Sequence, residues 1–311
     1  MSVLSAKHVS KSYPGTGQTA LNDVSFDVGK DQIFGLIGPD GAGKTSLFRI
    51  LATVILPDEG EVSIFGHDII KEYTYIRKFI GYMPGRFSLY TDLTVEENLR
   101  FFATLYGVTV EENYSIIRDI YIQLEPFKNR RAGKLSGGMK QKLALCCALI
   151  HHPRVLLLDE PTTGVDPVSR KEFWDILAGL RSKGMTILVS TPYMDEAEQC
   201  DRIALIQEGA ILSIDTPLGI TQKYPYQLFG VQSADIRRAL GLIRESEYID
   251  TCYSFGDSLH ITFKNDEPQV ERILRELSGA GVTESSISPI EPHIEDCFIQ
   301  LMNKHGGITH H

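Results

Sequence analysis

Three short stretches of this 311-residue chain hold residue types that chemistry needs at fixed spacing. The first is Gly38-Pro39-Asp40-Gly41-Ala42-Gly43-Lys44-Thr45, which fits GxxxxGK(S/T) without a mismatch. Small residues there let backbone N–H groups turn inward around phosphate oxygens. A helix beginning near Lys44 adds the positive end of its dipole. Lys44 is a mobile cation suited to β- and γ-phosphates, and the Thr45 hydroxyl is a hard oxygen ligand for Mg2+. Ser46 follows on the same turn and is grouped with this loop. The second stretch, Arg154-Val155-Leu156-Leu157-Leu158-Asp159-Glu160-Pro161, ends an apolar run in two carboxylates. Beside a phosphate loop, Asp159 suits Mg2+. Glu160 could accept a hydrogen bond from an attacking water as general base. The plain alternative is a strand end carrying solvated acids. The third stretch is Leu135-Ser136-Gly137-Gly138-Met139-Lys140-Gln141. Ser136 with the Gly137 and Gly138 amides at a helix start forms an anion site. A simple helix cap at Ser136 is the competing reading.

These groups need elements to hold them. ALNDVSFDVG, QIFGLIG and EVSIFGHDI read as strands, and TSLFRILAT, after the glycine loop, has helical spacing. A helical stretch runs from about Thr94 to Ile150. VLLLDEP suits a buried parallel strand. KEFWDILAGLRSKG is an amphipathic helix closed by Gly184, and TILVST and RIALIQEG are further strands. Strands joined by helices imply a mostly parallel, helix-covered sheet. Around Tyr224 the pattern changes to strand, helix, two strands, helix, strand, the order of a small ferredoxin-like domain, with PHIEDCFIQLMNK as a closing helix.

LSGG followed by basic and amide residues, upstream of LLLDEP and downstream of the phosphate loop, resembles the signature of ABC ATPases. The resemblance covers roughly Ser2 to Pro217 and rests on three motifs in the family's order. It implies an α/β fold of the P-loop NTPase class. In that fold a mostly parallel sheet carries an N-terminal antiparallel β subdomain and a helical subdomain at about 86–150. The expected organisation is an ATP-binding domain over 1–222 and a small α+β accessory domain over 223–311. The implied ligands are ATP and Mg2+, with Ser136, Gly137 and Gly138 capping the γ-phosphate held by an opposite subunit. Tyr13 in KSYPG stands where the family stacks an aromatic on adenine, a contact a ring makes without base-specific hydrogen bonds. Asp166 resembles the loop that links two active sites, although an Asp before proline is also a turn residue. FSLYTDLTVEENLRFFATLYG and STPYMDEAEQCDRIALI resemble the ATP-binding subunits of exporters of drugs, polysaccharides or related hydrophobic cargo. The segment from about Tyr82 to Ile150 is then expected to dock on a membrane partner.

Two positions depart from the family. Gly85 stands where a glutamine usually contacts Mg2+ and the attacking water. Pro192 stands where a histidine usually donates to the γ-phosphate, and proline has neither a polar side chain nor an N–H. Asp40 replaces the usual asparagine. The expected function is an ATP-binding, ATP-hydrolysing subunit that dimerises around nucleotide and drives a separate permease. The alternative is a subunit weakened at Gly85 and Pro192, acting as a regulatory or structural half of a heterodimer. Homodimer and heterodimer both stay open here.

Composition narrows the classes. The formal net charge of −9 weighs against a nucleic-acid binder. Five cysteines, an odd number without CxxC spacing, suggest reduced thiols of a cytosolic protein rather than a disulfide framework or zinc site. Cys146-Cys147, in LALCCALI, read as core. MSVLSAKHVSKSY lacks an apolar signal region, and no apolar run approaches the ~18–20 residues of a membrane span. A peripheral place on the cytoplasmic membrane face is expected, with another subunit forming the pore. His310-His311 are given no role.

Overall fold

The computed structural model describes residues 2–306 except 16, 18 and 266. His310 and His311 lie outside the described residues. The chain divides into two compact units, one reaching Ile220 and taking up the chain again from Phe298, the other spanning Thr221–Cys297.

The first unit opens with β1 (Ser2–Ser12), β2 (Thr19–Gly29) and β3 (Ile33–Ile37), then α1 (Lys44–Leu51), β4 (Glu59–Ile64) and β5 (His67–Asp68). Next come α2 (Tyr73–Ile76), β6 (Ile80–Met83), α3 (Val95–Leu105), α4 (Val110–Tyr121), α5 (Gly137–Leu149) and β7 (Val155–Asp159). It continues through α6 (Pro167–Ser182), β8 (Thr186–Thr191), β9 (Arg202–Gln207), β10 (Ala210–Asp215) and α7 (Pro217–Thr221). Strands β2-β1-β4-β5 form an antiparallel sheet, and β10-β9-β3-β8-β7-β6 form a second, mostly parallel sheet. In the second sheet only the β10–β9 pair is antiparallel. Its central strands β3, β7 and β8 are buried along their whole length, which is why they read as unbroken apolar runs. Leu4, Val24, Phe26 and Val28 from the first sheet share one core with Phe34, Leu47, Phe48 and Leu157 from the second sheet and α1.

Three strands, β1, β6 and β10, hide in the sequence, and one expected strand is broken. In β1 the pairing register shifts between Ala6 and Val9, where His8 has φ 52°. A bulge resets the inward–outward alternation, so the period-2 signal is lost. β6 has four residues, too few for a pattern. EVSIFGHDI is not one strand but β4 and β5, folded back at Phe65 and Gly66, both at positive φ (53° and 79°).

The helical segment is punctuated by its own caps. Thr94 with Glu97, and Thr109 with Glu112, each form a reciprocal capping box that starts α3 and α4. α5 is buried on most sides, Cys146 and Cys147 included. Among the described residues, no helix is long and apolar enough to cross a membrane.

The second unit runs β11 (Leu228–Gln232), α8 (Ile236–Glu245), β12 (Ile249–Phe255), β13 (Ser258–Phe263), α9 (Val270–Gly279) and β14 (Ser286–Ile290), followed by the start of α10 (Ile294–Gly306). Its antiparallel sheet, ordered β12-β13-β11-β14, is the ferredoxin-like arrangement. Val231, Leu259 and Ile261 pack on Ala239 and Ile243 of α8 and on Ile273 and Leu277 of α9.

Candidate nucleotide site

The glycine loop lies between β3 and α1, as its pattern requires. Gly43, the residue before α1, has φ 100°, and a Cβ there would meet the Ala20 carbonyl at 2.2 Å. A Cβ on Gly38 would meet the Ile206 carbonyl at the same 2.2 Å. Only glycine lets neighbouring backbone approach this closely. The loop is further anchored by Gly209 N–H donating to the Ala42 carbonyl (3.1 Å). The first intrahelical bond shown for α1 is Leu47 N–H to Gly43 O (3.1 Å), which leaves the amides of Lys44, Thr45 and Ser46 at the helix's positive end.

Lys44 is almost wholly buried. Its ammonium donates to the carbonyls of Gly38 (2.7 Å) and Pro39 (2.9 Å) and pairs with Glu160 Oε1 at 3.1 Å. A buried ammonium needs such partners, and here they are loop carbonyls and one carboxylate. Thr45 Oγ1 donates to Asp159 Oδ1 (3.3 Å) across 114 residues of sequence. Fold topology therefore brings the first two predicted motifs together. Tyr13, half-buried after β1, has its hydroxyl 3.1 Å from Ser46 Oγ. Asp40 is exposed on the loop.

Asp159 ends β7, and Glu160 follows at φ 50°. A non-glycine residue held left-handed is strained, and here the neighbouring strand holds it. Glu160 N–H reaches both the carbonyl and the hydroxyl of Ser190 at 3.0 Å. Ser190 Oγ in turn donates to Asp159 Oδ1 (2.6 Å). Tyr82 of β6 lies close enough to feel Asp159. Burial pushes its phenol up to about 12, with the Asp159 charge adding to the rise and Arg49 opposing it.

The third motif forms its own cluster. Ser136 caps α5 by accepting from Met139 N–H (3.3 Å). Ser136 and Gly137 are exposed and Gly138 is buried. A Cβ on Gly138 would run into Ser169 at 2.7–2.8 Å, so the start of α5 presses on the start of α6. Asp166 caps α6, its carboxylate accepting from Ser169 N–H (3.0 Å) and held below its usual range by that bond. Among the contacts described for residues 136–138, none runs to the phosphate loop of the same chain.

Gly85 is exposed beside Asp159: a Cβ there would lie 3.0 Å from its backbone carbonyl and 3.6 Å from Oδ2. Pro192 follows β8 and is half-buried. Sequence reasoning passed over a buried polar cluster next to it. Glu196 Oε2 accepts from Thr191 Oγ1 (2.5 Å) and Thr162 Oγ1 (3.1 Å). Its Oε1 lies 3.2 Å from Arg170 Nε in an ion pair that lacks hydrogen-bond geometry. The hydroxyls ending TILVST, alongside an acidic strand end, were the available signal.

These features can be compared with known proteins. The sequence pattern described as "ABC transporter" matches residues 21–163. The Nod factor export ATP-binding protein I of Rhizobium sp. (strain N33) is 33% identical, over 91% of this chain and 92% of that protein. The chain belongs to the ABC transporter ATP-binding family. Another family member, "Probable multidrug ABC transporter ATP-binding protein YbhF" of Escherichia coli (strain K12), is 39% identical over 98% of this chain. This chain spans about half of that relative's length, 53%. A solved structure of an ATP-binding subunit of an ABC transporter superposes with TM-score 0.64 and 30% identity, over 71% of this chain and 93% of its own. A dimeric cassette in a post-hydrolysis state, bound to ADP and Pi, gives 0.62 and 27%, over 68% and 98%. The P-loop fold with its antiparallel and helical subdomains is thus that of ABC cassettes.

Proposed function

We propose that this chain is the ATP-binding and ATP-hydrolysing subunit of an exporter-type ABC transporter, acting at the cytoplasmic membrane face on a separate permease. The observation that carries this reading is the convergence of Lys44, Thr45, Asp159 and Glu160 on one loop between β3 and α1. The ATP-binding domain runs to about residue 222 and an accessory domain follows it, its compact part ending at Cys297. Gly38 to Ser46 cradle the phosphates through backbone amides, and Tyr13 stacks on the base.

The donor set fits Mg2+: Thr45 and Asp159 place two hard oxygens side by side, one of them anionic. Bound there, Mg2+ would neutralise phosphate charge. Lys44 exchanges the Gly38 and Pro39 carbonyls for phosphate oxygens, which releases Glu160 from its ion pair to accept a proton from water. Ser136, Gly137 and Gly138, exposed or at a helix start, cap the nucleotide of a second subunit in a sandwich dimer. Tyr90, Phe101 and Leu105 are exposed apolar residues of the helical segment that suit a permease contact.

The relatives carry transport names and one dimeric cassette is captured after hydrolysis, so the weakened, regulatory reading suggested by Gly85 and Pro192 is not the one favoured. Glu160→Gln should keep ATP binding and lower turnover about 10²-fold or more, the usual weight of a general base. Turnover by Glu160→Gln equal to that of the parent would refute the assignment. Neither partner identity nor cargo enters this test.

A further inference from the structure

We propose that Ser190 is the positioning residue for both acidic groups at the end of β7, holding Asp159 for metal and Glu160 for water. This deepens the proposed ATPase reading and rests on it. The Ser190 hydroxyl is fully buried and makes two bonds of opposite sense. It donates to Asp159 Oδ1 at 2.6 Å and accepts from Glu160 N–H at 3.0 Å. That oxygen thereby orients the Asp159 carboxylate and shares the Glu160 N–H with the Ser190 carbonyl, which lies at the same 3.0 Å.

Both tasks matter at this site in particular. Glu160 sits at φ 50°, a conformation that persists only where surrounding bonds over-determine it. Asp159 Oδ1 has one other described hydroxyl donor, Thr45, at the longer distance of 3.3 Å. Gly85, in the loop after β6, lies beside Asp159 with no side chain to contribute. Pro192, two residues beyond Ser190, offers no donor. Beside the phosphate-loop contacts from Lys44 and Thr45, it is β8, the strand paired with β7 through Asp159 and Ser190, that holds both members of the acid pair. A strand-filling role would need only the volume of the side chain; the bond pattern needs the hydroxyl.

The test uses the full chain and the variants Ser190→Ala and Ser190→Thr. Three quantities are read: nucleotide affinity in EDTA, Mn2+ affinity of the ATP-loaded chain by electron paramagnetic resonance, and steady-state turnover. Ser190→Ala should weaken Mn2+ binding about tenfold and lower kcat about tenfold, the scale of one hydrogen bond to a charged group. Affinity for ATP in EDTA and KM should stay within about twofold, because the phosphate loop is untouched. Ser190→Thr, which keeps the hydroxyl, should recover most of both losses. Parental Mn2+ affinity and kcat in Ser190→Ala would overturn the proposal. So would a parallel loss of metal-free nucleotide binding, which marks a merely structural residue. If the parent chain takes up no ATP in EDTA, the reading of the phosphate loop falls first, and this assignment with it.

Discussion

Arg170→Ala isolates the cost of a buried charge left without its counter-ion. Glu196 is 3% exposed at its side chain, and Arg170 of α6 is the cation facing it, at 3.2 Å. Breaking such a buried pair by removing one partner costs about 3–5 kcal/mol. The lower end applies, because Thr191 and Thr162 still donate to Glu196 Oε2. Arg170 also lies over the Tyr193 ring (4.4 Å), which adds about 0.5–1 kcal/mol. Its bond to exposed Asp195 adds little. The expected loss is therefore roughly 3–4 kcal/mol, or about 6–16 °C in Tm for a unit of this size. Trp174, the only tryptophan, lies buried one turn along α6, so its fluorescence reports the melting of this unit without interference from the other. Glu196→Gln in the Arg170→Ala background should recover about half of the loss, because the uncompensated charge is gone. A single-mutant shift below about 2 °C, or strictly additive single and double mutants, would refute the argument.

Gly138→Ala should destabilise the α5–α6 junction by about 1–3 kcal/mol, the range for overpacking, since its Cβ would meet Ser169 at 2.7–2.8 Å. Adding Ser169→Gly should restore most of the Tm; failure to do so would show that the clash is elsewhere. The five thiols are all buried. Burial pushes Cys252 up to about 11, Cys297 up to about 12, and Cys146, Cys147 and Cys200 further still. Their folded values are raised, so the stability they contribute is complete below the unfolded thiol value near ~8.5 and is lost as pH rises from there. Native protein at pH 8 should resist alkylation at all five and react fully in denaturant. Tm should fall above about pH 8.5, less steeply in the Cys146→Ala, Cys147→Ala double variant.

Local physics made part of this protein legible from residue order. GxxxxGK(S/T) and LSGG act through backbone amides and helix starts, so their neighbours in sequence are also their neighbours in space. The all-buried strands β3, β7 and β8 show as apolar runs for the same reason, and the second unit's strand and helix order reads straight from its periodicities. Strand β1 did not, because the bulge at His8 erases alternation. Polar groups that serve each other across the sheet left no local trace. Ser190 meets Asp159 over 31 residues, and Glu196 meets Thr162 over 34. A serine or glutamate near a strand end has the same sequence signature whether it is solvated or buried. What distinguishes these two is tertiary: the parallel pairing of β7 with β8 sets Ser190 against Asp159, and the turns after those strands bury Glu196 against Thr162, Thr191 and Arg170, so protein atoms supply their polar partners.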